Sequence, residues 1–201
     1  MYSGLTSVAT RRARPHQVRI ISGRLRGRRL MVQDHPGLRP TADRIRETLF
    51  NWLAPVITGS RCLDGFAGSG ALGFEALSRD AAQVVMCEQS AAVARQLRTT
   101  AAALDLTAAV TIHCVDTLRW LTQVPDLPYN IVLLDPPFNA DLLPRTCEAL
   151  ATGGWVTAGG YVYLESANPP GLPPLPHGWE WWRQQRAGQV AFGLAVVTAV
   201  D

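Results

Sequence analysis

Two short segments of this 201-residue chain carry residue types that could do chemistry. The first, Asp64-Gly65-Phe66-Ala67-Gly68-Ser69-Gly70, is a glycine-rich turn after an apolar run, suited to a nucleotide-like ligand. The second, Asp135-Pro136-Pro137-Phe138, follows the apolar run 131–134. Its prolines fix their own backbone angles and remove two N–H donors. What remains is a row of acceptors, the Asp135 carboxylate and nearby carbonyls, with the flat face of Phe138 beside them. An aromatic amine is a poor nucleophile because its lone pair is delocalised into the ring. Acceptors that grip its N–H groups favour a more pyramidal nitrogen with a directed lone pair. Asp135 would orient such an amine and relay its proton, and alignment of the reacting atoms would supply much of the remaining acceleration. Pro136 and Phe138 complete this candidate catalytic turn. A plain strand-terminating Pro-Pro turn would account for the second segment alone; the glycine loop upstream weighs against that.

The glycine loop admits more than one ligand. Gly68-x-Gly70-x-x-Gly73 matches the dinucleotide fingerprint, and Glu88 ends the next strand where a ribose-binding acid belongs. A NAD-dependent oxidoreductase is therefore one reading. Against it, Asp64 at the mouth of the loop would meet a pyrophosphate with like charge, whereas a ligand carrying an ammonium and a sulfonium would be attracted. Asp116, after the third strand, is a further acid on that rim or the N-cap of a short helix. Asp64, Phe66, Gly68, Gly70, Glu88 and Asp116 are thus the candidate cofactor residues, and methyl transfer from S-adenosylmethionine to an exocyclic amine is the chemistry that fits both segments.

These segments need elements to hold them at the carboxyl ends of neighbouring strands. Runs 18–23 and 28–32 read as strands joined by the arginine-bearing loop 23–27. Residues 37–40 break the chain, and Asp43 fits the N-cap of a helix whose apolar face is Ile45, Leu49, Trp52 and Leu53, ended by Pro55. Strand and helix then alternate. Strands are expected over 62–64, 83–88, 109–114, 130–134 and 161–165, and helices over 70–78, 90–104, 117–121 and 141–150. The proline-rich stretch 169–176 reads as a surface loop. An antiparallel pair, 179–186 and 190–197, closes the chain. Alternation of this kind predicts an α/β, Rossmann-like fold with a parallel sheet covered on both faces.

Composition narrows the class. A 47% hydrophobic chain of this length buries one sizeable core, and no apolar run is long enough to span a membrane. Four cysteines (Cys62, Cys87, Cys114, Cys147) lack metal-ligand spacing. Cys62, Cys87 and Cys114 fall in strands, where cysteine acts as a small buried hydrophobe; no metal site and a reducing cytoplasm are expected. The net charge of +3 hides an asymmetry: residues 1–50 hold eleven Arg against three acids, and the remainder eight Arg against thirteen acids. A basic N-terminal third on an acidic body is the footprint of a nucleic-acid binder. Residues 1–17 read as a disordered basic arm.

The chain resembles the class I S-adenosylmethionine-dependent methyltransferases with a (D/N)PP(F/Y) motif, and more narrowly the RsmD-type bacterial small-subunit ribosomal RNA guanine-N2 methyltransferases. The likeness is carried by 19–23, by Gly37-Leu38-Arg39-Pro40-Thr41-Ala42-Asp43-Arg44-Ile45-Arg46-Glu47-Thr48-Leu49-Phe50-Asn51-Trp52-Leu53, by 64–73, by 135–138 and by Gly188-Gln189-Val190-Ala191. The resemblance implies a seven-stranded sheet with an antiparallel last strand, preceded by a small basic hairpin. Residues 18–201 would be one methyltransferase domain, with 18–40 the hairpin extension and 41–201 the catalytic core. It implies S-adenosylmethionine as cofactor and guanine N2 in 16S rRNA as acceptor, in the small subunit or its assembly intermediate. Asp64, Gly68 and Gly70 would line the methionine end, Glu88 the ribose, Asp116 the adenine side, and Asp135 and Phe138 the target base. Arg19, Arg24, Arg26, Arg28, Arg39 and Arg44 would grip the RNA backbone, and a cytoplasmic monomer is expected. A DNA adenine-N6 methyltransferase and a non-enzymatic assembly factor retaining the fold are the other readings.

Overall fold

A small antiparallel hairpin, β1 (Gln17–Arg19) and β2 (Arg29–Met31), precedes helix α1 (Pro40–Leu53) in the computed structural model, which describes residues 17–31, 40–138 and 142–198. Strands and helices then alternate as β3 (Arg61–Asp64), α2 (Ala71–Ser78), β4 (Gln83–Glu88), α3 (Ala91–Ala103), β5 (Val110–Cys114), α4 (Thr117–Trp120), β6 (Tyr129–Leu134), α5 (Leu142–Thr152) and β7 (Val156–Ala167). The final pair is β8 (Trp179–Ala187) and β9 (Val190–Val197). Seven strands form one sheet in the order β5-β4-β3-β6-β7-β9-β8. The five strands β3 to β7 run parallel, and β9 alone is antiparallel to both its neighbours. Reversal of the strand order at β3 leaves a crevice beyond its carboxyl end, where ligands bind in open sheets of this kind.

The continuous apolar runs of the sequence are strands buried on both faces. In β6, Ile131 and Leu133 join the core under α1, α2 and α3, while Val132 and Leu134 join the core under α4 and α5. Each such side chain contributes roughly 1.5–3 kcal/mol by leaving water, and alternate residues divide that gain between the two faces.

Some elements differ from expectation. Helix α1 begins at Pro40, where a proline costs no helical hydrogen bond. Asp43 is therefore inside the first turn, paired with Arg46 at 3.0 Å, and not the N-cap. Strand β7 starts at Val156 instead of 161: Gly159-Gly160 looks like a break, but a register shift opposite Tyr129 and Ile131 absorbs it. Cys114 is exposed on the edge strand β5, unlike buried Cys62 and Cys87. Of the arm expected over 1–17, Gln17 is instead the first residue of β1, and of the break expected over 37–40, Pro40 opens α1; residues 1–16 and 37–39, Arg39 included, lie outside the described residues.

The hairpin is anchored to the core by α2. Glu75, fully buried in that helix, accepts from Ile21 N–H at 2.7 Å and Ser22 N–H at 3.0 Å, and pairs with Arg79 at 2.9 Å. Ser78 Oγ donates to Ser22 O at 2.5 Å and accepts from Leu25 N–H at 3.0 Å, and Ser78 O accepts from Arg24 N–H at 2.8 Å. This contact requires glycine at 23: a Cβ there would lie 1.8 Å from Ser78 O.

Candidate active site

Strand β3 ends between β4 and β6, so its last residue, Asp64, is inside the protein. The loop that follows is stitched to both neighbours: Gly65 N–H donates to Leu133 O at 3.0 Å and Ala67 N–H to Cys87 O at 3.0 Å. Gly70 turns the chain into α2 with φ of 75°, and a Cβ there would press on the Phe74 ring at 2.5 Å. Gly73 N–H then reaches back to Asp64 Oδ2 at 3.0 Å. Expected open at the loop mouth, Asp64 is instead 1% exposed beneath it, because the loop folds back over the strand end. Its Oδ1 is buried with no hydrogen-bond partner. Burial pushes its pKa up to about 7, with the amides of Gly73 and Phe66 easing the charge and Glu88 opposing it.

Glu88 clasps the loop from β4. Its Oε2 accepts from Gly68 N–H at 3.1 Å and its Oε1 from Ser90 N–H at 2.7 Å. Val115 N–H donates to Glu88 O at 3.0 Å, which brings the end of β5 alongside. Asp116, exposed on that rim, caps α4 by accepting from Arg119 N–H at 2.9 Å. Thr117 ties the same helix to the loop by donating to Gly65 O. Phe66 is half-buried at the loop's bend.

Asp135 to Phe138 continue β6 onto the same rim. Phe138 is 54% exposed, an aromatic face open to a partner, while Pro136 is buried beneath it. Asp135 keeps an exposed edge on this rim while protein crowds the rest of it. Desolvation first, then the charges of Glu165 and Asp64, hold its carboxyl well above the usual carboxylate range. Glu165 belongs to β7, and its Oε2 accepts from the fully buried Tyr163 hydroxyl at 2.7 Å. In the sequence Glu165 reads only as a strand end. Its signal was an acid closing an apolar strand next in sheet order to the one ending at Asp135.

The structure therefore brings Asp64, Glu88, Asp116, Asp135 and Phe138 to one rim. The arginines expected to hold RNA are on other elements, the hairpin and α1. Arg19, Arg24, Arg26, Arg28 and Arg44 are all exposed. Arg24 lies at the carboxyl end of eight-residue α2, about 12 Å from the glycine loop at its other end. It is also partly engaged, donating to Leu77 O at 3.3 Å and lying 4.0 Å from Asp80. Arg46 is no surface arginine: 5% exposed, it donates to Arg19 O at 2.6 Å and braces the hairpin on α1.

No helix of the described residues is long and apolar enough to cross a membrane, and no group of His, Cys, Asp and Glu there could hold a metal ion. The sheet order, the antiparallel β9, the glycine loop after the central strand and the Asp-Pro-Pro-Phe turn after its neighbour define a class I methyltransferase. The chain belongs to the family described as Conserved hypothetical protein 95, whose profile matches residues 18–196. It is 49% identical over 178 residues to ribosomal RNA small subunit methyltransferase D of Escherichia coli K12, covering 89% of each chain. The protein of that name from Haemophilus influenzae is 41% identical over 180 residues, covering 89% of this chain and 93% of the relative. The solved structure of the Escherichia coli yhhF protein superposes with a TM-score of 0.85 at 44% identity, covering 92% of this chain and all of the other.

Proposed function

We propose that this methyltransferase transfers a methyl group from S-adenosylmethionine to the exocyclic N2 of a guanine in 16S rRNA of the small ribosomal subunit. The observation that carries the reading is the meeting, on one rim, of the glycine loop with its acids and the Asp-Pro-Pro-Phe turn with an exposed aromatic ring. Relatives named for small-subunit ribosomal RNA support the acceptor molecule.

The residues present fit the cofactor. Asp64 Oδ1 is a buried acceptor without a donor, which an ammonium group supplies. Glu88 keeps lone pairs for a ribose diol while clasping Gly68. Asp116 stands at the rim beyond β5 for the adenine side, and Phe66, Gly68 and Gly70 shape the space between. When bound, S-adenosylmethionine supplies an electrophilic methyl group on a sulfonium, whose C–S bond breaks as the N–C bond forms.

Asp135 accepts from the amine N–H and receives its proton; Phe138 stacks on the base and Pro136 keeps competing amide donors away. The base must leave its stack to be surrounded in this way. Exposed Arg19, Arg24, Arg26, Arg28 and Arg44, with Arg39, then hold phosphates at a distance from the reacting amine, so the RNA footprint extends from the rim along α2 to the hairpin. Mass-spectrometric mapping of ribosomal RNA from cells with and without this protein tests the reading. The expected result is one N2-methylguanosine in 16S rRNA that disappears with the protein and returns with the wild type but not with Asp135→Ala. An unchanged methylation map overturns it.

A further inference from the structure

Glu165 is not used by the mechanism above, yet it stands beside Asp135. Strands β6 and β7 are parallel and in register, with Leu133 opposite Tyr163 and Leu134 opposite Leu164. The next positions are Asp135 and Glu165, one strand spacing of about 4.8 Å apart. Leu133 and Tyr163 lie in the same core cluster, which puts the acids that follow them on that same face of the sheet. Glu165 is half-buried and held by the Tyr163 hydroxyl at 2.7 Å.

We propose that Glu165 is a positioning residue for methyl transfer: fixed by Tyr163, it forms with Asp135 a carboxylate pair that shares one proton in the free enzyme and makes Asp135 the stronger proton acceptor of the two. Two neighbouring, partly desolvated carboxylates cannot both ionise cheaply, so the pair holds one proton to a pH above the ordinary carboxylate range. The Tyr163 O–H bonds more strongly to an ionised Glu165 than to a protonated one, which favours placing the shared proton on Asp135. Among the described residues, the groups that act on the pair add no positive charge: Asp64 from β3 acts on Asp135, and Tyr163 acts on Glu165. Both acids are raised above their ordinary range, as a proton-sharing pair requires. Binding of an amine with two N–H donors displaces the shared proton to solvent. The ionised Asp135 then accepts the proton that the amine nitrogen loses as its bond to the methyl carbon forms. Glu165, kept charged by Tyr163, makes that proton hold more firmly on Asp135 than it would on a lone carboxylate.

This inference rests on the proposed amine methylation but not on which base carries the amine. The direct test needs no turnover: the Asp135 carboxyl carbon is followed by NMR through a pH titration of the cofactor-free protein, wild type against Glu165→Gln. The expected result is an Asp135 midpoint lower by roughly one pH unit in the variant, because the like charge is gone. The acid limb of kcat/KM moves down by the same amount. Glu165→Asp keeps the carboxylate and is expected to keep a raised midpoint, which covers the case in which the glutamine variant folds poorly. An Asp135 midpoint unchanged by Glu165→Gln overturns the inference, whatever happens to the rate. A product other than N2-methylguanosine would overturn the choice of base and leave the proton-sharing pair standing.

Discussion

Asp64 is an acid whose charge has few partners, and that sets how it responds to pH. In the unfolded chain it ionises near its ordinary value of 3.8; in the folded protein it ionises near 7. The folded state therefore holds this proton more tightly. Its contribution favours folding fully below about pH 4 and is lost as pH rises through about 7. The full loss is on the order of 4 kcal/mol. Asp64→Asn is expected to flatten the dependence of Tm on pH between 4 and 8, measured by scanning calorimetry; a curve parallel to the wild type's would show that Asp64 does not titrate there. A cationic cofactor selects the ionised form, so its affinity should rise with pH up to about 7 and then level off. The asparagine variant should bind it roughly tenfold more weakly, without that pH dependence, in isothermal titrations. Asp135 works at the same scale. Asp135→Ala is expected to keep the fold and cofactor binding and to lose turnover, and a variant retaining most of its methylation rate would contradict the acceptor role.

At the scale of elements, α2 does two jobs. Its amino end receives the glycine loop and its middle and carboxyl end carry Glu75 and Ser78, which hold the backbone of the basic hairpin. Glu75→Gln would turn an N–H donor toward two amides that need acceptors. The expected cost is about 1–3 kcal/mol, seen as a lower Tm and faster proteolysis between 19 and 29. A hairpin as protected as the wild type's would show that Glu75 is not its anchor. The strands β3, β4 and β6 were legible as apolar runs because burial on both faces leaves only apolar residues. Strand β7 was cut short at its start because Gly159-Gly160 looks the same in a bulge as in a turn. Glu75 was invisible as an anchor: one acid among apolar helix residues reveals nothing about amides more than fifty residues earlier in the chain.

Over the whole molecule, charge is separated from chemistry. The acids converge at the carboxyl rim of the sheet, and the exposed arginines proposed to hold RNA lie on the hairpin and α1, with Arg24 about a helix length away. Binding and reaction should then be separable by mutation. Changing Arg26 and Arg28 to Glu is expected to weaken RNA binding and leave cofactor affinity intact. The slope of log affinity against log salt should fall by about one unit for each arginine that grips a phosphate. Filter binding across a salt series measures this, and an unchanged slope would move the RNA path off the hairpin. Arg24 should matter less to RNA than its neighbours, because its guanidinium already serves Leu77 O and Asp80.

The sequence alone determined the α/β alternation, the two functional turns and the basic character of the N-terminal third. Each follows from local rules of periodicity, proline and glycine geometry, and charge count. Only the tertiary structure decided that Asp64 is a buried floor and not an open mouth, that Arg46 is a brace, and that Glu165 stands next to Asp135. Those facts depend on which strands become neighbours and how far a loop folds back. The register between β6 and β7, which pairs residues thirty positions apart, is written in no single stretch of chain.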